Sequence, residues 1–418
     1  MRMTIEALIK KDNQIKKFSW YGFLKNLKFF EPYLLLYLLG DGMSLLSIGY
    51  LFAVREATTY IFEVPSGIIA DYFGKKKELM MCFVFYIISF IGLFIGKSVF
   101  IYLLAMFFYG LGEAFRSGTH KAMILSYLEQ KGWQNYKTKV YGRTRSFSLV
   151  GSSVSAMLAI VLALYLPSLK LIFLFSVIPF IIDFILIWSY PHSLDEATHK
   201  TMHLSDFFRS GRSTVKSILN QRNLRDVLIN SAVFTGLFKT IKHYIQPILQ
   251  GVILSTGIVF LMSQSADDTV KIVLGLVYGI FNLVSAYASK NLHKWVSDKE
   301  AQHRFDDLLS AMIIMLFVVA LGLRLNSMVL VIGGFFFIYI IKDVRRPLFL
   351  VTASHFMKKK ERATALSVES QISALSMIIL GPLCGAIADY FGMTMLFVFL
   401  GIAMLVLKLG TKTNSQEN

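Results

Sequence analysis

The sequence predicts an all-α membrane protein of twelve spans arranged as six, a linker and six, and three observations carry that expectation. Of its 418 residues, 55% are apolar and only 17% charged, and the mean hydropathy is +0.58, which is too oily for a soluble domain of this size. A bilayer core takes roughly 20 helical residues to cross, and apolar runs of about that length recur along the whole chain. Lys and Arg gather in alternate connections between the runs, as cytoplasmic loops do.

Composition also narrows the function classes. Thirty-six Phe and eighteen Met suit lipid-facing and adaptable helix surfaces. Cys82 and Cys384 stand alone inside apolar stretches, so no disulfide framework, metal site or cofactor is expected. The net charge of +17 is read as loop charge on the cytoplasmic side and not as a nucleic-acid surface. Residues 1–31 are basic, with no apolar core followed by small residues, so they are expected to be a cytoplasmic lead-in and not a cleaved signal.

The spans follow in order. The first six are expected near 32–48, 50–70, 79–96, 99–119, 140–164 and 169–190, with Pro167 marking a turn. They form an N-terminal bundle over 32–190. From 191 to 225 the chain turns polar and basic. Within it Leu204, Phe207, Phe208, Val215, Ile218 and Leu219 recur at helical spacing opposite Arg209, Arg212, Lys216 and Arg222, the pattern of an amphipathic surface helix. Six further spans are expected near 227–249, 272–288, 308–323, 328–350, 363–388 and 393–407, forming a bundle over 226–408 before a tail at 409–418. The basic loops 75–77, 131–139, 290–304 and 358–362 fall on the same side as the linker, which places both termini in the cytoplasm.

One stretch occurs twice. Gly67 to Gly74 reads GIIADYFG and Gly385 to Gly392 reads GAIADYFG. On this layout the copies end the second and eleventh spans at opposite faces, as equivalent helices of inverted three-helix units would; chance matching of apolar, glycine-rich sequence is the alternative.

With Gly67, Asp71, Gly74, Lys75 and Lys76 in view, the chain resembles the major facilitator superfamily (MFS), whose signature between the second and third spans has that glycine, aspartate, glycine and basic pattern. Residues 112–122, GEAFRSGTHKA, and 362–367, RATALS, are similar to stretches of its fourth and eleventh spans. The resemblance implies two six-helix bundles rocking about a central site, with the first helix of every three-helix unit lining the cavity. It also implies a loop latch, carried here by Asp71 with Arg362 as the expected partner.

Ionisable groups inside apolar spans are costly unless paired or wetted, so they point to a cavity. Asp41, Glu63, Glu113 and Glu369 are the candidates for proton coupling, with Asp41, Glu63 and Lys239 expected near the midplane. Arg55, Lys239, Lys242, His243 and Asp343 are the candidates for the substrate cavity, and their positive balance leans toward a solute with an anionic group. Neutralisation of neighbouring carboxylates is the alternative for these cations, and a satisfied polar role the alternative for His243. Glu113, Arg116, Arg143 and Arg145 are read as a structural ion network. Gly67, Asp71, Gly74, Lys75, Lys76 and Arg362 form the expected gating set.

These observations predict a secondary transporter of the bacterial inner membrane, a monomer that moves a small solute together with protons. Two alternatives stand beside it. Multidrug efflux is weakened because 147–153, FSLVGSS, lacks the proline that such antiporters carry in the fifth span; a receptor or assembly partner on a transporter scaffold is the other. Enzyme activity is not expected, since no GxxxxGK[ST], HExxH or GxSxG stretch is present.

Overall fold

The computed structural model describes residues 5–195, 220–257, 265–291, 301–357 and 362–411, with the side chains of 71, 285–286, 288–291, 301–302 and 362–363 outside the description. The amphipathic linker helix expected around 204–222 lies largely outside it. In chain order the helices are α1 (Ile5–Lys11), α2 (Asn13–Leu24), α3 (Leu34–Gly40), α4 (Leu45–Phe73), α5 (Lys75–Ile95), α6 (Val99–Arg116), α7 (Thr119–Gln130), α8 (Lys137–Tyr165) and α9 (Leu171–Trp188). Then come α10 (Arg222–Ile241), α11 (Ile245–Thr256), α12 (Ala266–Asn291), α13 (Ala301–Arg324), α14 (Met328–Phe356) and α15 (Arg362–Gly410).

Twelve spans result when short breaks are bridged. Helices α2 and α3, α6 and α7, and α10 and α11 each make one span, while Gly392 at φ 84° divides α15 into two arms. By length and composition, six helical stretches among the described residues are apolar enough to cross a bilayer by themselves. The others fall short because charges or breaks interrupt them, as with Arg55, Glu56 and Glu63 in α4.

The breaks have local causes. Pro32 follows α2, and its ring and missing N–H exclude a regular helix through the preceding turn. Asn26 satisfies the freed Gly22 carbonyl through its Nδ2, at 2.6 Å. Gly118 sits at φ 79° between α6 and α7, a conformation that a β-carbon disfavours. Pro247, in the first turn of α11, has no N–H for the His243 carbonyl, and α10 stops at Ile241.

The first span therefore begins far earlier than expected. Ile15, Phe18 and Tyr21 are buried and α2 packs on α8 and α9, so residues 13–24 are part of the helical packing and Lys25 and Lys28 fall within the span. An apolar ruler overlooks α2 because Lys16, Lys17 and the polar residues around them dilute its hydropathy.

The packing separates into two units. One holds Met1–Tyr37 and Ala57–Thr201, the other Leu38–Glu56 and Met202–Asn418. The second thus takes in the end of α3 and the first half of α4. Its interior includes a cluster of Leu224, Leu228, Phe305, Phe349, Ala353 and Ala365. In the first unit, Ile178, Ile181, Ile182 and Ile185 of α9 are exposed while Asp183 among them is fully buried. Such an outward apolar face suits acyl chains.

Candidate functional site

In the first unit the break after α2 brings Lys25 and Lys28 against α6. The Lys28 ammonium donates to the Tyr109 hydroxyl at 2.5 Å and pairs with Glu113 Oε1 at 3.2 Å. It also lies over the rings of Tyr86 and Tyr109, 5.1 and 4.8 Å from their centroids. Arg116, one turn along α6, donates through Nη2 to Glu113 Oε2 and through Nε to the Tyr86 hydroxyl at 3.1 Å. Glu113 thus carries two cations, which offset its desolvation.

Beside this cluster opens a cavity of about 260 Å³, whose walls include Tyr21, Lys25, Glu113, Arg116, His120 and Lys121. Tyr21 and His120 stack at 3.7 Å with rings 13° from parallel. Lys25 lies 5.3 Å over the Tyr21 ring and makes no ion pair among the described residues. The charged side chains at the cavity wall are Lys25, Arg116 and Lys121 against Glu113.

The second unit has its own break and its own pairs. Freed by the end of α10, the Lys242 carbonyl accepts from Tyr278 at 3.3 Å and Tyr339 at 3.5 Å. Tyr278 in turn accepts from Gln246 Nε2 at 3.0 Å. His243 is buried, 5.3 Å from the Phe52 ring. Glu369, only 2% exposed, accepts from Arg346 Nη1 on both oxygens, at 2.9 and 2.8 Å, and from Ser231 at 3.0 Å. Lys342 pairs with Asp343 at 2.7 Å. Arg345, equally buried, donates to Asn230 and lies between the rings of Phe234 and Phe305, 4.3 and 3.8 Å away.

Some expected site residues fall elsewhere. Asp41 is not within a span: α3 ends at Gly40, Gly42 takes φ 84°, and Asp41 lies exposed in the turn between them. Glu63 does sit inside α4, exposed and accepting from Ser117 at 2.8 Å. Arg55 pairs with its neighbour Glu56 at 2.9 Å. Lys239 is exposed on α10, apart from the pairs described. Arg143 and Arg145 do not join the Glu113 network; Arg143 reaches the Lys10 carbonyl at 3.5 Å and Arg145 is exposed.

The signature loop is built differently from the expectation as well. Gly67 is exposed, with nothing within 4 Å of where a β-carbon would stand, so it serves no close helix approach. Gly74, at φ 101°, has Asp195 against it. Asp195 Oδ1 accepts the Lys76 backbone N–H at 3.0 Å near the start of α5, beside Lys75. The Lys76 ammonium is buried and donates to the Tyr190 carbonyl at 2.9 Å. The side chains of Asp71 and Arg362 lie outside the described residues.

Four cations escaped the sequence reading: Lys25, Lys28, Arg345 and Arg346. The first pair was hidden in the apparent lead-in, although Pro32 following a basic, aromatic segment was available as a break signal. The second pair lies just past Lys342 and Asp343, after Val344 and immediately before Pro347, within the unbroken α14.

Apolar spans whose buried faces hold matched ions beside a charged cavity define a multi-pass membrane transporter. The family model described as "MFS_1 like family" matches residues 18–246, more than half of the sequence, and the chain belongs to that family. It is similar to "Uncharacterized MFS-type transporter YxaM" of Bacillus subtilis (strain 168), 24% identical over 384 residues, covering 90% of this chain and 89% of the relative. Among solved structures, nucleoside transporter NupG matches with a TM-score of 0.75 at 11% identity, over 96% of this chain and 98% of its own. A bacterial homologue of the human lysosomal transporter Spinster matches at 0.71 and 12%, over 95% of both chains. Peptide transporter POT matches at 0.71 and 11%, over 95% of this chain and 93% of its own. At these identities the structural matches establish the MFS fold.

Proposed function

We propose that the chain is a secondary active transporter that carries a small organic anion by alternating access, coupled to protons. The carrying observation is Lys25, on a cavity wall and without a carboxylate partner among the described residues. In this reading Lys25 and Arg116 hold the anionic group, and the Tyr21–His120 stack receives a flat part of the solute. Glu113 and Glu369 are the proton sites. Each is held by cations, so loading a proton weakens its ion pairs and frees Arg116 or Arg346 for another partner. Lys242, His243 and Asp343 remain candidates for solute contact within the second unit, while Arg55 and Glu63 are support on α4. Asp41, in its exposed turn, is left without a coupling role.

In this reading the protein sits in the bacterial inner membrane with both termini in the cytoplasm, a topology that the basic loops support, and works as a monomer. A lean toward anions also favours probes that extend the cargo named for the structural relatives, so nucleosides and peptides belong in the panel with organic acids. Proteoliposomes under an imposed pH gradient test the reading. Accumulation of an organic acid above its equilibrium level is the expected result. Preferential extrusion of cationic hydrophobic compounds would point to efflux, and no flux of any solute would favour a receptor or assembly role.

A further inference from the structure

The second copy of the repeated stretch is engaged, and its partner is the start of α4. Asp389 Oδ1 accepts the Leu45 N–H at 3.1 Å and Oδ2 accepts the Leu46 N–H at 2.8 Å. These are the first two residues of α4, whose N–H groups have no partner within their own helix and lie at its positive end. Both oxygens of one carboxylate from a distant helix are therefore committed to one helix terminus.

Backbone contact supports the docking. A β-carbon at Gly385 would run into the Leu45 carbonyl, and one at Gly49 into the Gly381 carbonyl. Gly381 and Gly385 are one turn apart on α15, as Leu45 and Gly49 are on α4. That is the small-residue spacing at which membrane helices approach most closely.

Two features suit a contact that opens and closes. Helix α4 has a cap of its own, since Ser44 Oγ accepts the Ser47 N–H at 3.2 Å, so the terminus remains capped when Asp389 leaves. Asp389 is exposed, so water can take over its hydrogen bonds, and the glycine surfaces separate without unpacking interlocked side chains. The other end of α4 carries the first copy of the stretch, about 40 Å away at 1.5 Å per residue. There a β-carbon on Gly67 would meet nothing within 4 Å among the described residues.

We propose that Asp389 is a reversible latch on the N-terminus of α4, counterpart of the first glycine, aspartate, glycine copy at the opposite end of the same helix. It clips on in one conformation and releases in the other. The opening and closing rest on the transport reading above; the contact itself does not.

Spin labels at Tyr50→Cys and Tyr390→Cys, both exposed positions, report the distance between α4 and α15 in the full chain in liposomes; the native Cys82 and Cys384 are buried. Pulsed electron resonance should resolve a short and a long population in the otherwise unaltered chain. Asp389→Ala should lower the short-to-long ratio roughly tenfold, the worth of a lost helix cap, and Asp389→Glu should recover part of it. Should the alanine variant fail to fold, Asp389→Asn keeps one acceptor oxygen and should give an intermediate ratio. A ratio unchanged in a folded Ala or Asn variant, or a single short population under every pH gradient, overturns the latch. Flux by the same labelled chain is recorded in parallel. Its absence counts against transport, whereas normal flux with an unmoved ratio counts against the latch alone.

Discussion

The ion clusters of the two units differ in balance. In the second unit Glu369 has Arg346 and Asp343 has Lys342, while Arg345 donates to Asn230 and lies over two aromatic rings with its buried Nε left without a hydrogen bond among the described residues. In the first, Glu113 already holds Lys28 and Arg116, and Lys25 stands beside it over Tyr21. A matched cluster fixes helices to one another, whereas an unmatched cation on a cavity wall is an incomplete site that a ligand completes. In the proposed cycle the first unit supplies charge for the solute, and each unit has an ion pair that a proton would open.

That contrast can be broken most sharply at Lys25. Removing its charge with Lys25→Met should weaken binding of an organic anion roughly 10- to 100-fold, the range for a lost hydrogen bond to a charged group. Calorimetric titration in detergent is the check, and the fold should be unaffected. The matched side should respond in stability instead. Arg346→Met strands the buried Glu369 carboxylate and should cost about 3 kcal/mol. Glu369→Gln leaves a half-exposed Arg346 that water can solvate, and should cost about 1 kcal/mol. Thermal unfolding of the two variants should keep that order.

Glu113→Gln keeps the shape of the first cluster and removes its ability to exchange a proton. Solute exchange across liposomes at equal pH should persist, while accumulation driven by a pH gradient should fall to the equilibrium level. Loss of both would mean that Glu113 builds the site and does not couple it. The smallest effects concern the signature glycines. Gly74→Ala forces a β-carbon into a positive φ against Asp195 and should destabilise by about 1–2 kcal/mol. Gly67→Ala, on an open helix surface, should be neutral or stabilise by up to about 1 kcal/mol. A reversed order would show that the close approach lies at Gly67.

Much of the architecture was readable without coordinates, because spans of lipid-soluble helix are written in long apolar runs and in the charge of the loops between them. Glu113 and Glu369 stood out for the same reason, as acids in oily surroundings. What the runs concealed were the breaks. Helix α2 is amphipathic and basic, so its residues looked like a leader until Phe18 and Tyr21 were seen buried, and Lys25 and Lys28 were discounted with it. Asp41 suffered the opposite error: an apolar ruler carried the first span through Gly40 and Gly42, where the chain turns. The repeated stretch was legible as a pair, but nothing in its letters distinguished Gly67, where a β-carbon would find open space among the described residues, from Gly385, which lies against the backbone of α4.

Uptake by proteoliposomes under a pH gradient, with an organic acid and its neutral amide as paired solutes, tests the central claim most directly. Accumulation of the acid above equilibrium, none of the amide, and loss of the acid's uptake in Lys25→Met are the results the cation-lined cavity predicts. Equal accumulation of acid and amide, or undiminished uptake in Lys25→Met, would contradict it.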